Sequence, residues 1–409
     1  MPANPSSVLA ARVRTLVAEE TPRAVALRRE LHGYPEICYE EFKTAARVRD
    51  ELTQSGITHA VGLAGGTGTI AFCPGNAATA VGLRADIDGL PIEEENTCAW
   101  KSRTSGRMHA CGHDGHTAIL LGAARVLKRL SDECALPHPV RFLFQPAEEG
   151  GAGGERMVAD GALRAHEHGP AVRRIYGLHN FPGLALGSLA TRKGALFASS
   201  DRFEITVLGR AAHAAWPHHG RDPIVAASAI VLALQSLIAR EIDPVDAGVV
   251  STTTIHGGTA TNQIPSSVVL QGTVRALSDS VRKHLEMRLQ EVARDCAQAY
   301  RCEAQTRYFN GYPVTRNDDA STVEFERIVR EALPTHKFEH MESPVMGGED
   351  FAYYAQQIPA CFYLLGVEDG QWKSAHLHQP TFDFNDAAIP LGIGAMVMLA
   401  LADDGRSRA

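Results

Sequence analysis

The chain has 409 residues, of which 44% are hydrophobic and 21% charged, and its formal net charge is −7 at pH 7. At this length a single hydrophobic core stops growing, so we expect two domains. The acidic balance argues against a nucleic-acid partner or an anionic membrane surface. There is no uninterrupted run of about 18 apolar residues, so we expect no membrane span.

The cysteines and the N-terminus bear on the cellular compartment. The eight cysteines are scattered without a CxxC pair, which in a chain of this length favours reduced thiols over a disulfide framework. Residues 1–7 lack a basic head followed by an apolar core, so we expect no secretory signal. Together these features predict a cytoplasmic protein.

The N-terminal half alternates helices and strands. Its predicted elements are helices at 8–31 and 42–52 and strands at 69–72, 80–83, 140–145 and 174–178. Pro22 predicts a break in the first helix. Acids or potential metal ligands follow three of the strands: Asp86 and Asp88, then Glu148 and Glu149, then His179. Because ligands bind at the carboxyl ends of strands in open α/β sheets, this convergence predicts an active site, although each acidic pair alone also fits an exposed turn.

Residues 109–116 place one thiol, three imidazoles and one carboxylate in eight positions, directly before a run of apolar residues at helical spacing. Asp114 is the expected N-cap of that helix. Cys111 and His113 then lie in the turn before a helix N-terminus, where the helix dipole favours a thiolate. A single cysteine or histidine here fits core packing or capping, but the crowding of several donors favours a metal site.

From about residue 194 the pattern changes to a compact α+β module. Its predicted elements are strands at 203–209, 249–255 and 268–276 and helices at 222–242 and 279–300. The chain then returns with a helix at 325–333 and a strand at 361–366. We therefore predict an α/β protein with a catalytic domain in two parts, 1–193 and 307–409, and an inserted α+β domain at 194–306.

Several segments together resemble the M20 metallopeptidase family, and within it the amidohydrolase branch of hippurate hydrolases, N-acyl-amino-acid amidohydrolases and auxin-conjugate hydrolases. They are 83–91 (LRADIDGLP), 111–116 (CGHDGH), 145–150 (QPAEEG), 177–179 (GLH), 212–218 (AHAAWPH), 261–265 (TNQIP), 347–351 (GGEDF) and 377–380 (LHQP). The resemblance implies a zinc-peptidase-like mixed-sheet catalytic domain with an inserted lid or dimerisation domain. It also implies a homodimer through that inserted domain, with a tetramer as a further option.

The resemblance implies two divalent metal ions per subunit, and Zn, Mn, Co and Ni are all compatible with the donor types. Cys111 would bridge both ions, where other branches of the family use an aspartate. His113 and His179 would complete one ion. Glu149 and His378 would complete the other.

Further roles follow from the same resemblance. Glu148 would be the general base, Asp88 would sit behind His113, and His213 would stabilise the oxyanion in the neighbouring subunit. The free carboxylate of the substrate would be bound by Asn262 and Arg275 with the backbone at Gly347 and Gly348, although an arginine ending a strand also fits a surface position. His109 and His116 belong to the signature, and packing or support of the ligands is the role we expect for them.

The function implied is hydrolysis of the amide bond of N-acyl or N-aroyl amino acids to a carboxylic acid and a free amino acid, as in hippurate hydrolases. A metal-dependent dipeptidase or carboxypeptidase is the alternative. A cysteine hydrolase using Cys111 and His113 is disfavoured because residues two apart in a turn rarely present that geometry. An inactive binding protein is disfavoured because every ligand position is filled.

The chain departs from the family pattern at two places. A second glycine is usual within 209–213, and a proline–aromatic pair is common at 98–100. Both departures leave the acyl-group preference open. Trp100 and Trp216 could shape an aromatic acyl pocket, but we expect core packing for both.

Overall fold

The computed structural model describes residues 5–333, 335–370 and 375–402. The chain forms two compact units. Unit 1 runs to Gly194, resumes over Arg316–Glu342 and continues from Asp350. Unit 2 comprises Ala195–Thr315 and Ser343–Glu349.

Helices and strands alternate along most of the described chain. The helices are α1 (Pro5–His32), α2 (Phe42–Gln54), α3 (His113–Glu133), α4 (Gly153–Ala159), α5 (Pro223–Ser236), α6 (Asp279–Ala299), α7 (Asp319–Ala332), α8 (Ala352–Ala355) and α9 (Ile389–Leu401). The strands are β1 (Thr58–Leu63), β2 (Gly68–Cys73), β3 (Ala80–Asp86), β4 (Val140–Gln145), β5 (Val172–Ala185), β6 (Ser188–Thr191), β7 (Gly194–Phe197), β8 (Ser200–Leu208), β9 (Ala212–His213), β10 (Gly248–His256), β11 (Gln263–Ile264), β12 (Ser267–Ala276), β13 (Glu303–Tyr312), β14 (Thr315–Asn317), β15 (Lys337–His340) and β16 (Ala360–Glu368).

Unit 1 is built on an eight-stranded mixed sheet in the order β1-β2-β4-β3-β5-β16-β6-β15. Its central strands β4, β3, β5 and β16 run parallel to one another. Strands β2, β3, β4 and β16 are buried at nearly every position and rich in apolar residues, as expected for strands covered on both faces, and β5 is buried along most of its length. Because β3 lies between β4 and β5, the segments that follow β3 and β4 meet at one edge of the sheet.

Two expected boundaries in unit 1 are wrong. Pro22 does not divide the first helix, because α1 continues through it and packs apolar side chains into the core on both sides, among them Leu16 and Leu27. The free-energy cost of the backbone hydrogen bond that Pro22 cannot donate is therefore outweighed by the burial of these apolar side chains. His179 does not end a short strand, because β5 continues to Ala185 while paired with β16.

Unit 2 is an antiparallel four-stranded sheet in the order β10-β12-β8-β13, with α5 and α6 supplying the other half of its core. The expected end of the inserted domain at residue 306 falls inside β13. That strand pairs with β8 along most of its length, and unit 2 accordingly extends to Thr315. The α+β character expected from the pattern is present.

One helical stretch in the described chain, Pro223–Glu241, is long and apolar enough to cross a membrane by length and composition alone. The sequence expectation concerned uninterrupted apolar runs, and this stretch is interrupted by polar residues, among them Gln235 and Arg240. The stretch supplies Ala226, Ile230 and Leu234 to the core of unit 2. Part of its apolar surface therefore packs within that unit, while Ile224, Val225 and Leu232 are exposed.

A buried charge cluster joins α1 to the first turn of α3. Arg28 Nε lies 2.9 Å from Asp114 Oδ2, and His32 Nδ1 donates to the same oxygen at 2.8 Å. His32 Nε2 lies 3.2 Å from Glu94 Oε1. Asp114 is thus not the N-cap of α3 as expected, because its carboxylate is committed to these cations and Gly112 occupies the cap position.

We predict that His32 makes the stability of the fold depend on pH. Burial lowers the pKa of His32, but the charge of Asp114 and the hydrogen bonds to Asp114 and Glu94 outweigh burial and raise the pKa to about 9. The charged ring therefore contributes fully below the unfolded value of about 6.5, and its contribution is lost as the pH rises through about 9. The contribution is on the order of 3 kcal/mol.

The measurement is the free energy of unfolding in urea between about pH 6 and about pH 10, for the wild type and His32→Gln. Glutamine is neutral at every pH and retains hydrogen-bonding groups. The advantage of the wild type over the variant should shrink across this range. A constant difference between the two proteins would show that His32 is uncharged in the fold.

Candidate metal centre

The tight turn before α3 sets the position of two of the expected ligands. Gly112 has φ 87°, in the left-handed region that favours glycine. A Cβ atom at Gly112 would lie 2.2 Å from Asn180 Oδ1, so no larger residue fits. Cys111 and His113 flank this glycine and are both buried, with exposed fractions of 6% and 1%.

Two groups of three donor atoms meet at one thiol. Cys111, His113 and His179 have donor atoms all within 4.8 Å of one another, and so have Cys111, Glu149 and His378. The Cys111 sulfur lies 3.3 Å from His179 Nε2, and His378 Nε2 lies 3.1 Å from Glu149 Oε1. All five residues named as ligands from the sequence are therefore brought together, in two groups that share Cys111.

Asp88 fixes the orientation of one ligand on each side of the centre. His113 Nδ1 donates to Asp88 Oδ1 at 3.1 Å, and the Glu149 backbone amide donates to Asp88 Oδ2 at 2.9 Å. Burial lowers the pKa of His113, but the charge of Asp86 and the hydrogen bond to Asp88 outweigh burial and raise the pKa to about 10, so a metal ion would take the place of the proton on Nε2. That atom is buried and has no hydrogen-bond partner among the described residues, which leaves it available to a cation.

The electrostatics of the cluster also suit a cation. Burial, and then the charges of Glu149 and Glu148, raise the pKa of the Cys111 thiol well above its usual range. The thiolate expected from the helix N-terminus is therefore not stabilised by the protein alone and needs a positive charge beside it. Burial and neighbouring His116 hold the pKa of His179 well below its usual range, so its ring is in the neutral form that binds metals.

His378 occupies a strained backbone position. Its φ is 64°, in the left-handed region that non-glycine residues rarely adopt, and its amide donates to the Ala110 carbonyl at 2.9 Å. Such conformations cost about 1–3 kcal/mol and persist where the surroundings impose them. The bond to Ala110 ties the His378 loop to the segment that carries Cys111.

Glu148 and Glu149 have different surroundings, as expected for adjacent residues with separate roles. Glu149 belongs to one of the two donor groups that share Cys111. Glu148 is 6% exposed and accepts a hydrogen bond from the Asp350 amide at 3.3 Å. One of its oxygens lies within 4.8 Å of a donor atom of His113 and of Glu149, and these three residues form a further group that could hold an ion. Glu148 is thus a buried carboxylate beside the donor groups.

A buried ionic network beneath the donors was missed at the level of sequence. Arg84 donates to Asp86 at 2.7 Å and to Asp350 at 2.8 Å, and Asp86 accepts from His116 Nδ1 at 2.6 Å. Both Arg84 and Asp350 lie in segments that match the family pattern, and this was the only sequence signal for them. Burial raises the pKa of Asp350 to about 6, although the charge of the Arg84 guanidinium lowers it.

The remaining expected site residues belong to unit 2. His213 on β9 pairs with Gln263 on β11, and the Ala214 amide donates to the Asn262 carbonyl at 2.9 Å, so His213 and Asn262 are neighbours and both are exposed. The Ala215 amide donates to His213 Nδ1 at 3.1 Å. The neutral His213 ring therefore carries its proton on Nε2 and presents a donor.

The residues expected to bind a substrate carboxylate differ in the contacts that they already make within unit 2. Arg275 is half-buried on β12, and its Nη1 group donates to the Val274 carbonyl at 3.0 Å and to the Thr273 hydroxyl. Gly347 and Gly348 lie in the Ser343–Glu349 segment of unit 2, where a Cβ atom at Gly348 would meet the Ser200 Cβ at 2.8 Å.

The two expected core tryptophans differ. Trp100 is partly buried, donates to Asp383 at 3.1 Å and stacks beneath the Arg29 guanidinium at 3.9 Å. Trp216 is 59% exposed, so the core-packing interpretation is wrong for it. The neighbouring residues at 211–215 are mostly alanine, and they gave no indication that the indole of Trp216 stays outside the core.

Comparison with known proteins decides the family. The sequence model of the family described as Peptidase family M20/M25/M40 matches residues 82–402 of this chain. The chain belongs to the M20 peptidase family. It is 39% identical over 368 residues to N-acetyl-L-cysteine deacetylase of Bacillus subtilis, covering 89% of this chain and 84% of the relative. It is also 39% identical over 381 residues to IAA-amino acid hydrolase ILR1-like 2 of Arabidopsis thaliana, covering 92% and 84%.

A solved M20 structure extends the match to the fold. The Bacillus subtilis YXEP protein, described as a dinuclear metal binding peptidase from the M20 family, has a TM-score of 0.80 and 33% identity, covering 94% of this chain and 98% of that one. The α/β fold with a mixed central sheet is thereby confirmed, and so is the resemblance to the amidohydrolase branch of the family. The M20 chain is a hydrolase with donor groups suited to metal ions.

Proposed function

We propose that this M20 protein is a metal-dependent amidohydrolase that cleaves N-acyl or N-aroyl amino acids, including hippurate-like substrates, to a carboxylic acid and a free amino acid. The observation that carries the proposal is the pair of donor groups that share Cys111. The carboxylate of Glu148 belongs to neither of these two groups and lies beside them. The names of the deacetylase and IAA-amino acid hydrolase relatives support the amide class.

The donor set fits two divalent cations. Cys111 would contact both, with His113 and His179 on one side and Glu149 and His378 on the other. When bound, such ions polarise a carbonyl oxygen and make a water molecule more acidic. The mixed thiolate, imidazole and carboxylate donors are compatible with Zn, Mn, Co or Ni, and affinity order alone does not choose among them.

The residues of the chain handle the proton and the developing charge. Glu148 takes the proton of the attacking water and returns it to the leaving nitrogen, while the Asp350 amide holds its carboxylate in place. Asp88 keeps His113 in the tautomer that binds metal. His213 Nε2 of the neighbouring subunit donates to the oxyanion, in a homodimer formed through unit 2.

Recognition of the free carboxylate distinguishes this proposal from simple amide hydrolysis. Asn262 offers a side-chain amide beside His213, and Gly347 and Gly348 offer backbone amides. Arg275 adds a guanidinium suited to carboxylates, although part of it is already bonded within β12. The substrate is therefore a small molecule with a free carboxylate next to the scissile amide.

The test is release of free amino acid from N-acetyl, N-benzoyl and longer N-acyl amino acids by protein stripped of metal and then supplied with Zn, Mn, Co or Ni one at a time. Metal-restored release supports the proposal. Hydrolysis confined to dipeptides with a free amine would instead favour the dipeptidase alternative, and activity insensitive to chelators would exclude a metal-dependent reaction.

We predict that His213→Ala lowers turnover by about 10²–10³-fold, because one oxyanion donor is lost. Mixed with Glu148→Gln, it should regain activity, since one site of each hybrid dimer then combines an intact Glu148 with an intact His213. The control mixes Glu148→Gln with Cys111→Ala, where every site keeps a defect and no recovery is expected. Verified heterodimers of the first pair that stay inactive would rule out the cross-subunit role.

A further inference from the structure

Trp216 is a large exposed aromatic side chain held against the predicted oxyanion donor. Its indole is 59% exposed, and its ring centroid lies 4.9 Å from that of His213 with 40° between the ring planes. Neither ring is covered by the core of unit 2. The two side chains therefore present one continuous surface, half imidazole and half indole.

Backbone hydrogen bonds hold the two residues in one turn. The Trp216 amide donates to the His213 carbonyl at 2.8 Å, which closes a tight turn through two alanines, and the His219 amide donates to the Trp216 carbonyl at 3.1 Å. Pro217 fixes the backbone directly after the indole. Any position that His213 takes in catalysis therefore carries Trp216 with it.

The position of Trp216 beside His213 has a geometric consequence, which rests on the proposed function. If His213 Nε2 donates to the reacting carbonyl oxygen at a hydrogen-bond length of about 2.9 Å, the indole lies beside a substituent of that same carbonyl. One substituent is the amino-acid half, which carries a carboxylate and needs polar partners such as Asn262 beside β9. The other is the acyl group, which suits a flat apolar surface.

We propose that Trp216 is a specificity-determining residue that contacts the acyl group of the substrate and selects flat, apolar acyl groups such as aroyl and arylacetyl groups. Edge-to-face or offset stacking of two aromatic rings adds to the burial of their surface. Trp100 does not offer such a surface, because its ring is already covered by Arg29. The preferred substrates are then N-acyl amino acids with an aromatic acyl group.

The test compares kcat/KM for the N-benzoyl and N-acetyl derivatives of one amino acid in the wild type, Trp216→Ala and Trp216→Phe. Trp216→Ala should lower the benzoyl-to-acetyl ratio by about tenfold, equivalent to ~1.4 kcal/mol. Trp216→Phe retains an aromatic face and should keep most of the ratio. Tyr300→Ala removes another exposed aromatic ring of unit 2, 42% exposed at the end of α6, and should leave the ratio unchanged.

The possible outcomes separate this inference from the proposed function. An equal loss on both substrates, or no loss, would overturn the acyl role of Trp216 while leaving amide hydrolysis intact. A changed preference among amino acids at constant acyl group would place the indole on the leaving half and also overturn it. If the wild type hydrolyses no N-acyl amino acid with any metal, the proposed function fails and this inference fails with it.

Discussion

Replacement of Glu148 by glutamine should remove most of the turnover while leaving both metal ions bound. Glutamine has nearly the same shape and can still accept a hydrogen bond from the Asp350 amide, but it cannot take a proton from water. We expect kcat to fall by about 10³-fold, within the range typical of lost general-base catalysis. The measurements are single-substrate kinetics and the metal content of the same preparation by elemental analysis.

The neighbouring residue provides the matched control. Glu149→Gln changes an adjacent carboxylate by the same single atom, but Glu149 belongs to one of the donor groups, so this variant should lose metal as well as activity. Full activity in Glu148→Gln would show that another group removes the proton. Loss of metal in Glu148→Gln would show that Glu148 is itself a ligand.

Cys111→Ala should have the second large effect, because one thiol serves both donor groups. We expect the metal content to fall from two ions per chain to less than one, and activity to fall to background. Affinity for each ion should drop by more than the about 10- to 100-fold that is typical when only a hydrogen-bond partner of a ligand is lost. Equilibrium dialysis against Zn or Mn measures the affinity, and elemental analysis measures the stoichiometry.

Two further variants sharpen this prediction. Cys111→Asp restores an anionic donor of the kind that other branches of the family use, so it should recover part of the metal binding. Cys73→Ala removes a buried free thiol of unit 1 outside the donor groups and should retain both ions. An unchanged metal content in Cys111→Ala would remove the thiol from the metal centre.

The clustering of the candidate donors was predictable from sequence because their positions follow from local rules. Cys111 and His113 are set by one tight turn, and Glu149 follows a strand whose apolar run is unmistakable. Parallel strands then deliver these segments to one edge of the sheet, whatever the details of the loops. His378 was named only from the family pattern, because it lies far along the chain from the other donors and no local spacing relates it to them.

Other features depend on tertiary context that a sequence does not display. Arg84 looked like an ordinary charge at the end of a strand, and only its two buried carboxylate partners reveal its place. The continuity of α1 through Pro22 depends on core contacts on both sides of the proline. Trp216 stays outside the core because a turn closed by backbone hydrogen bonds holds it there. From the sequence alone, a large aromatic residue was expected to pack in the core.

The cluster of Arg28, His32 and Asp114 has a consequence for dissecting this protein into fragments. The match to the family covers residues 82–402, which includes every donor of the metal centre but excludes α1. A fragment cut to that match would keep Asp114 buried at the first turn of α3 without the two cations that neutralise it. An uncompensated buried carboxylate costs several kcal/mol, so the segment that carries no ligand is part of what permits the ligands to assemble.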